Sequence, residues 1–202
     1  KQLEEAWKKT EVDALYTLTA AALRVPRPLR YFNGVLMMEL MVDEAGHSAP
    51  PLGEVELAPD DARRFHVQLV RDVVRMLCIG LIHGDLSEYN VLVAPEGPVI
   101  IDLPQVVSAA GNNAARAMLL RDVHNLRDSL ARFAPELAAT HYGEEMWLLY
   151  EKGELQPDTV LTGQFTFDQH DADVGAVMMS IEDARQEALI REQGRAEAAE
   201  AD

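Results

Sequence analysis

The sequence predicts an α+β fold in which helices are segregated from short antiparallel hairpins, and three observations carry that reading. The stretch "PDDARRFHVQLVRDVVRMLCIG" repeats Phe65, Leu69, Val73 and Leu77 at every fourth position, as the apolar face of an amphipathic helix does. Two β-type runs are joined by Asn33-Gly34, and two more, "VLVA" and "PVIID", by the turn "PEG", so each pair reads as a hairpin. Between the long helix and the second hairpin lies "LIHGDLSEYNVLV", residues 81–93, an apolar run interrupted by His83, Gly84, Asp85, Ser87, Glu88 and Asn90. A polar island in such a place marks a candidate site.

Each element follows in order. "LEEAWKKTEVDALYTLTAAAL" places Leu3, Trp7, Val12, Leu15, Leu18 and Leu23 on one helical face, and "RVPRP" ends that helix. "LRYF" and "VLMMELM" form the first hairpin around its Asn-Gly turn. From Asp43 to Pro59, Gly and Pro clusters without periodicity indicate a loop. The next helix starts with Asp60 and Asp61 and stops at Gly80. After the second hairpin, "NNAARAMLLRDVHNLRDSLARF" reads as a helix capped by Asn112 or Asn113, and "GEEMWLLYEKG" as a shorter one closed by Gly153. The final "SIEDARQEALIREQGRAEAAEAD" starts as a capped helix and runs into Ala- and Glu-rich low complexity, which is expected to fray.

Composition excludes several classes. With 202 residues and 48% hydrophobic content the chain is long and apolar enough to build a core. No run approaches the roughly 20 apolar residues of a membrane span, no apolar signal segment opens the sequence, and a cytoplasmic location is the expectation. A formal charge of −16 opposes sequence-independent attraction to phosphate backbones. Arg24, Arg27 and Arg30, with Arg63 and Arg64, are the pieces of a local basic patch, although such residues more often solvate a surface. Direct nucleic-acid binding is therefore not expected. Cys78, the single cysteine, lies in an apolar helical context and reads as a reduced, buried thiol.

In the polar island Asp85 and Asn90 are separated by four residues, and the hairpin that follows delivers Asp102 at the end of an apolar strand. Phosphoryl transfer from a nucleotide needs one carboxylate to accept the proton of an attacking hydroxyl. It also needs an amide oxygen and a second carboxylate to hold Mg²⁺ in hard-oxygen, near-octahedral geometry. On this spacing Asp85 is the candidate base, Asn90 and Asp102 are the candidate metal ligands, and ATP and Mg²⁺ are the expected cofactors. His83 fits better as a hydrogen-bonding support beneath the loop than as an acid or base. Taken singly, each residue has a plainer reading: Asp85 caps a turn, Asn90 starts a strand and Asp102 ends one.

The stretches "HGDLSEYNVLV" and "VIIDLPQVV" resemble the catalytic and metal-binding loops of the RIO family of atypical protein kinases, and "NAARAMLLRDVHNL" is similar to the helix after them. The resemblance covers about residues 7 to 135, and "EEMWLLYEKGELQPDTVLTG" looks like bacterial members. It implies a kinase-like fold, mainly a helical C-lobe with a partial N-lobe. Residues 1–42 would form the partial N-lobe with its regulatory helix, hairpin and hinge. Residues 43–180 would form the C-lobe, and 181–202 a C-terminal helix with an acidic tail. The resemblance also implies that Glu11 pairs with a nucleotide-binding lysine and that Met38 guards the pocket. The backbone of Glu39 and Met41 would bond adenine, and Leu92 and Ile101 would line the floor of its site.

The function implied is ATP-dependent phosphoryl transfer to a serine of a protein substrate, to the chain itself or to water, with ribosome association suggested by family analogy alone. Gly84 stands where ordinary protein kinases carry an arginine, and "DLPQ" replaces Asp-Phe-Gly, so control by activation-loop phosphorylation is not expected. Nothing before Glu11 supplies a glycine-rich loop or a strand-borne lysine, and the expectation is an N-terminally truncated chain that binds nucleotide poorly alone. The rival readings are a small-molecule kinase similar to aminoglycoside phosphotransferases and a non-catalytic scaffold on the same fold.

Overall fold

Local sequence chemistry accounts for where each element begins and ends. The computed structural model describes residues 12–166; Glu11 and the C-terminal segment from residue 167 lie outside the described residues. Residues 12–20 are helical (α1), with Leu15 and Leu18 buried as the apolar spacing requires. A hairpin follows from β1 (Pro28–Phe32) and β2 (Val35–Met38), antiparallel with Phe32 opposite Val35. Its turn residues Asn33 and Gly34 both have positive φ, 50° and 76°, the left-handed pair that a two-residue primed turn demands. A three-residue 3₁₀ turn, Leu52–Glu54, interrupts the loop expected over Asp43–Pro59.

Helix α2 (Pro59–Cys78) is the spine of the molecule. Proline at its first position, Asp60 and Asp61 in its first turn, Arg75 in its last and Gly80 at φ +78° just beyond are start and stop signals read off the sequence. Its face of Phe65, Leu69, Val73 and Leu77 is buried against α3 (Ala115–Ala131) and α4 (Tyr142–Glu151). Between α2 and α3 the chain forms β3 (Leu81–Ile82), β4 (Val91–Ala94), β5 (Gly97–Ile100) and β6 (Val107–Ser108). β4 pairs antiparallel with β5 as the second expected hairpin, and β3 pairs with β6. The β3–β6 pairing joins the chain just before the polar island to the chain just after Asp102. Ala109 N–H donating to the Gly80 carbonyl at 2.9 Å extends it.

Two local expectations are corrected. Neither Asn112 nor Asn113 occupies the N-cap of α3, where Ala114 stands without a side-chain cap bond. Asn112 instead accepts the Ala114 N–H at 2.9 Å and closes the turn that leads into the helix, the usual role of an Asx side chain. Cys78 is half-buried rather than buried, and its thiol is still raised above the ordinary value, chiefly by that burial.

Candidate functional site

The polar island folds as a loop from Ile82 to Asn90 whose backbone is held from two sides. On one side is the chain just after β5: His83, 2% exposed, bonds through Nε2 to the Ile101 carbonyl at 3.0 Å. A carbonyl only accepts, so Nε2 carries the hydrogen and Nδ1 is free to accept the Asp85 N–H at 3.3 Å. Burial lowers the proton affinity of His83, against the upward pull of the Ile101 carbonyl and of the Asp85 and Asp102 carboxylates, and the neutral ring is the form that fits. His83 is thus the support beneath the loop that its place in the sequence suggested.

On the other side is α3, which sequence reasoning did not bring into the site. Asp122, 1% exposed, accepts the Gly84 N–H at 2.8 Å and the Leu86 N–H at 3.0 Å, one on each carboxylate oxygen. Arg121 donates to the Gly84 carbonyl, and Asn125 donates to the Leu86 carbonyl at 3.1 Å. Burial pushes Asp122 up to about 6 against those two N–H bonds, so it is ionised at neutral pH, as two donors require. The signal was present: Asp122 falls on the apolar stripe of Leu119, Val123 and Leu126, where a charge needs a partner.

Gly84 itself has φ +84°, and a Cβ there would stand 2.8 Å from the Gln105 carbonyl oxygen and 2.8 Å from the Met118 methyl. Glycine is required on both counts. The loop after β5 approaches closely enough to exclude any side chain at this position, including the arginine of ordinary protein kinases.

Two of the three candidate chemical residues, Asp85 and Asn90, share one hydrogen-bonded ring, and Asp102 directly follows its member Ile101. Asn90 Nδ2 donates to the Asp85 carbonyl at 2.8 Å, and the Ile101 N–H donates to the Asn90 carbonyl at 3.0 Å, directly before Asp102. Tying down the Asn90 amide nitrogen leaves its Oδ1 as a ligand atom. Asp102 is exposed, forms no side-chain hydrogen bond among the described residues, and holds φ +62°, a left-handed conformation that Asp tolerates better than most residues. Gln105 Nε2 reaches Asp85 Oδ2 at 3.4 Å. An amide oxygen and a free carboxylate are hard donors of the kind Mg²⁺ takes, usually with water and phosphate oxygens completing its shell. Among the described residues no cluster of three His, Cys, Asp or Glu side chains offers a site for a metal bound by protein alone.

Met38, Ile101 and Asp102 line one small cleft of about 20 Å³ together with Leu15, Pro26 and Leu103. Leu92 is not among its lining residues; half-buried in β4, it bridges to Pro51. At the end of β2 the Glu39 N–H donates to the Arg27 carbonyl at 2.9 Å, and the Met41 carbonyl accepts from Ala49 at 2.9 Å. A larger cleft lies elsewhere, on the outer face of α2.

Comparison with known proteins shows the family of the chain. The family model described as "RIO domain" matches residues 1–142. The RIO-type serine/threonine-protein kinase Rio1 of Haloferax volcanii is 37% identical over 133 residues, 65% of this chain and 44% of that protein. The serine/threonine-protein kinase RIO1 of Homo sapiens is 30% identical over 133 residues, 65% of this chain and 23% of its own length. Rio1 of Thermoplasma acidophilum is 32% identical over 120 residues, 59% of this chain and 61% of its own. The aligned part is thus less than two thirds of each relative. With the family match running through more than half its length, on a kinase-like α+β fold whose loop, metal-ligand candidates and supporting helix are those just described, the chain belongs to the RIO domain family.

Proposed function

We propose that the loop from His83 to Asn90 and the turn at Asp102 form the phosphoryl-transfer site of a RIO-type serine/threonine kinase using ATP and Mg²⁺. The observation that supports this reading is the hydrogen-bonded ring through His83, Asp85, Asn90 and Ile101, which ties the candidate base to one candidate ligand and to the residue before the other.

Asp85 orients the serine hydroxyl of a protein substrate, or of the chain itself, and takes its proton; Gln105 holds Oδ2 and leaves Oδ1 for that proton. Asn90 Oδ1 and the Asp102 carboxylate hold the metal, which supplies charge neutralisation at the phosphates. Met38 guards the adenine pocket. The Glu39 carbonyl and the Met41 N–H are the hinge groups left for adenine, since the opposite group of each residue is already bonded. Ile101 and Leu92 form the floor, and Glu11 is the partner of a nucleotide-binding lysine. Residues 1–42 serve as part of the small lobe and 43–180 as the large lobe, and the cytoplasm is the compartment that fits an ATP-dependent enzyme of this composition. No helix among the described residues is long and apolar enough to cross a membrane.

The test is Mg²⁺-dependent ATP binding by calorimetry, followed by radiolabelled phosphate transfer, on this chain and on a version lengthened upstream. Asp85→Ala is expected to lower turnover by about 10²- to 10⁴-fold with ATP binding retained. Asp102→Ala is expected to shift the Mg²⁺ titration to higher concentration. Near-normal turnover in Asp85→Ala would remove the assignment, and failure of both versions to bind ATP would favour a non-catalytic scaffold.

A further inference from the structure

A broad cleft among the described residues is walled by arginine. It measures about 500 Å³, runs along the outer face of α2, and is lined by Arg24, Arg63, Arg64, Arg71, Arg75 and Asp72. Five of the chain's 18 basic residues thus share one cleft in a protein with 34 acidic ones. Three of the five are residues whose sequence positions suggested a basic patch. The fold brings Arg24 beside α2, while Arg27 and Arg30 are not part of the lining. No lysine contributes, and arginine is the side chain whose planar fork matches phosphate oxygens two at a time.

The partners of these arginines are informative. Arg71 is exposed and forms no hydrogen bond or ion pair among the described residues. Arg64 and Arg24 pair with Asp61 and Glu96, whose side chains are 46% and 69% exposed, and Arg63 pairs with both Asp60 and Glu136, 95% and 54% exposed. Such screened pairs are worth roughly 0 to 1 kcal/mol, so a more highly charged anion displaces them readily. Arg75 faces Asp72 at 3.6 Å, and Asp72 is a buried carboxylate whose Oδ2 has no hydrogen-bond partner. Burial pushes Asp72 up to about 6, with Arg75 and Arg24 pulling it down. Folding therefore keeps a carboxylate in an unfavourable place between two guanidiniums, a feature that binding sites show more often than plain surfaces.

We propose that this cleft binds an anion carrying adjacent phosphate groups, with Arg71 as the principal contact and Arg24, Arg64 and Arg75 flanking it. The volume suits a ligand of a few phosphates, since a single phosphate would leave most of the wall unused. No aromatic side chain lines the cleft, so the bases of a single strand would find nothing to stack on, and an oligophosphate is favoured over RNA. The proposal is independent of the phosphoryl-transfer reading, because none of these residues belongs to the loop around Asp85.

The test is calorimetric titration of the whole chain with inorganic tripolyphosphate, without Mg²⁺ and at physiological ionic strength. Saturable binding is expected, weakened about tenfold or more by Arg71→Glu and only a few-fold by Arg71→Lys, with sulfate much weaker than tripolyphosphate. Arg71 is exposed, so both variants should fold, and circular dichroism checks that they do. Asp102→Ala should leave binding unchanged. Competition by Mg²⁺-free ATP would identify a nucleotide's phosphate chain as the source, and its absence a nucleotide-free oligophosphate; either result supports the shared chemistry. The proposal is overturned by no saturable binding, by Arg71→Glu binding as well as the parent, by loss of binding in Asp102→Ala, or by an RNA binding where tripolyphosphate does not.

Discussion

Replacing Asp122 with alanine would leave the buried N–H groups of Gly84 and Leu86 without acceptors. Bonds to a charged acceptor, and donors left unsatisfied when it is removed, make this one of the more costly single changes in the fold, about 2 to 4 kcal/mol. Urea unfolding should show it, and a loss below about 0.5 kcal/mol would mean that Arg121 and Asn125 hold the loop without Asp122. The same comparison separates what was legible from what was not. Asp85, Asn90 and Asp102 stand out because polar residues interrupt apolar runs at a spacing that chemistry needs. Asp122 is one charged residue in a helix that has several. Only its place on the stripe that α3 buries distinguishes it from solvated neighbours such as Asp128, whose side chain is 63% exposed.

The first hairpin carries the most exposed apolar surface among the described elements. Phe32, Val35 and Met37 are 59%, 62% and 55% exposed, and Leu40 just beyond β2 is 71% exposed. Contiguous apolar surface of this kind associates with other surfaces in solution. Phe32→Ser combined with Leu40→Ser should reduce self-association in light scattering and leave the unfolding midpoint nearly unchanged, because neither side chain packs in the core. A large fall in that midpoint would show that the hairpin face is covered. This hairpin was legible because Asn-Gly announces a primed turn, and α2 because its period is sustained over five turns. Strands β3 and β6 were not: two residues have no period, and their pairing depends on partners far apart in sequence. The arginine cleft is non-local in the same way, since residue 24 and residue 75 meet only through the fold.

Across the whole molecule, buried titratable groups pull stability in opposite directions as pH falls. His66, 1% exposed, sits edge-on to Tyr142 with neither nitrogen hydrogen-bonded, and burial, aided by Arg127, lowers it to about 4. Its unfolded form takes up a proton first, so its contribution is lost as pH falls from about 6.5 towards 4. Asp72 and Asp122, raised to about 6, act the other way: their contribution is present at low pH and lost as pH rises through 6. Two raised carboxylates outweigh the one lowered imidazole, so these three groups together should leave the native protein more stable at pH 4 than at pH 6. His66→Phe removes one side of the balance and should gain about 3 kcal/mol relative to the parent over that acidification. Urea titrations at neutral and acid pH read that difference directly, and a constant gap would place His66 in contact with water. The pairing of β3 with β6 has a consequence of another kind. It makes residues 81–108 a closed excursion from the helical body, so the entropy of loop closure is met once for the whole span. The candidate base and both candidate ligands are thereby inherited as one cassette: an insertion or deletion inside it resets their common frame.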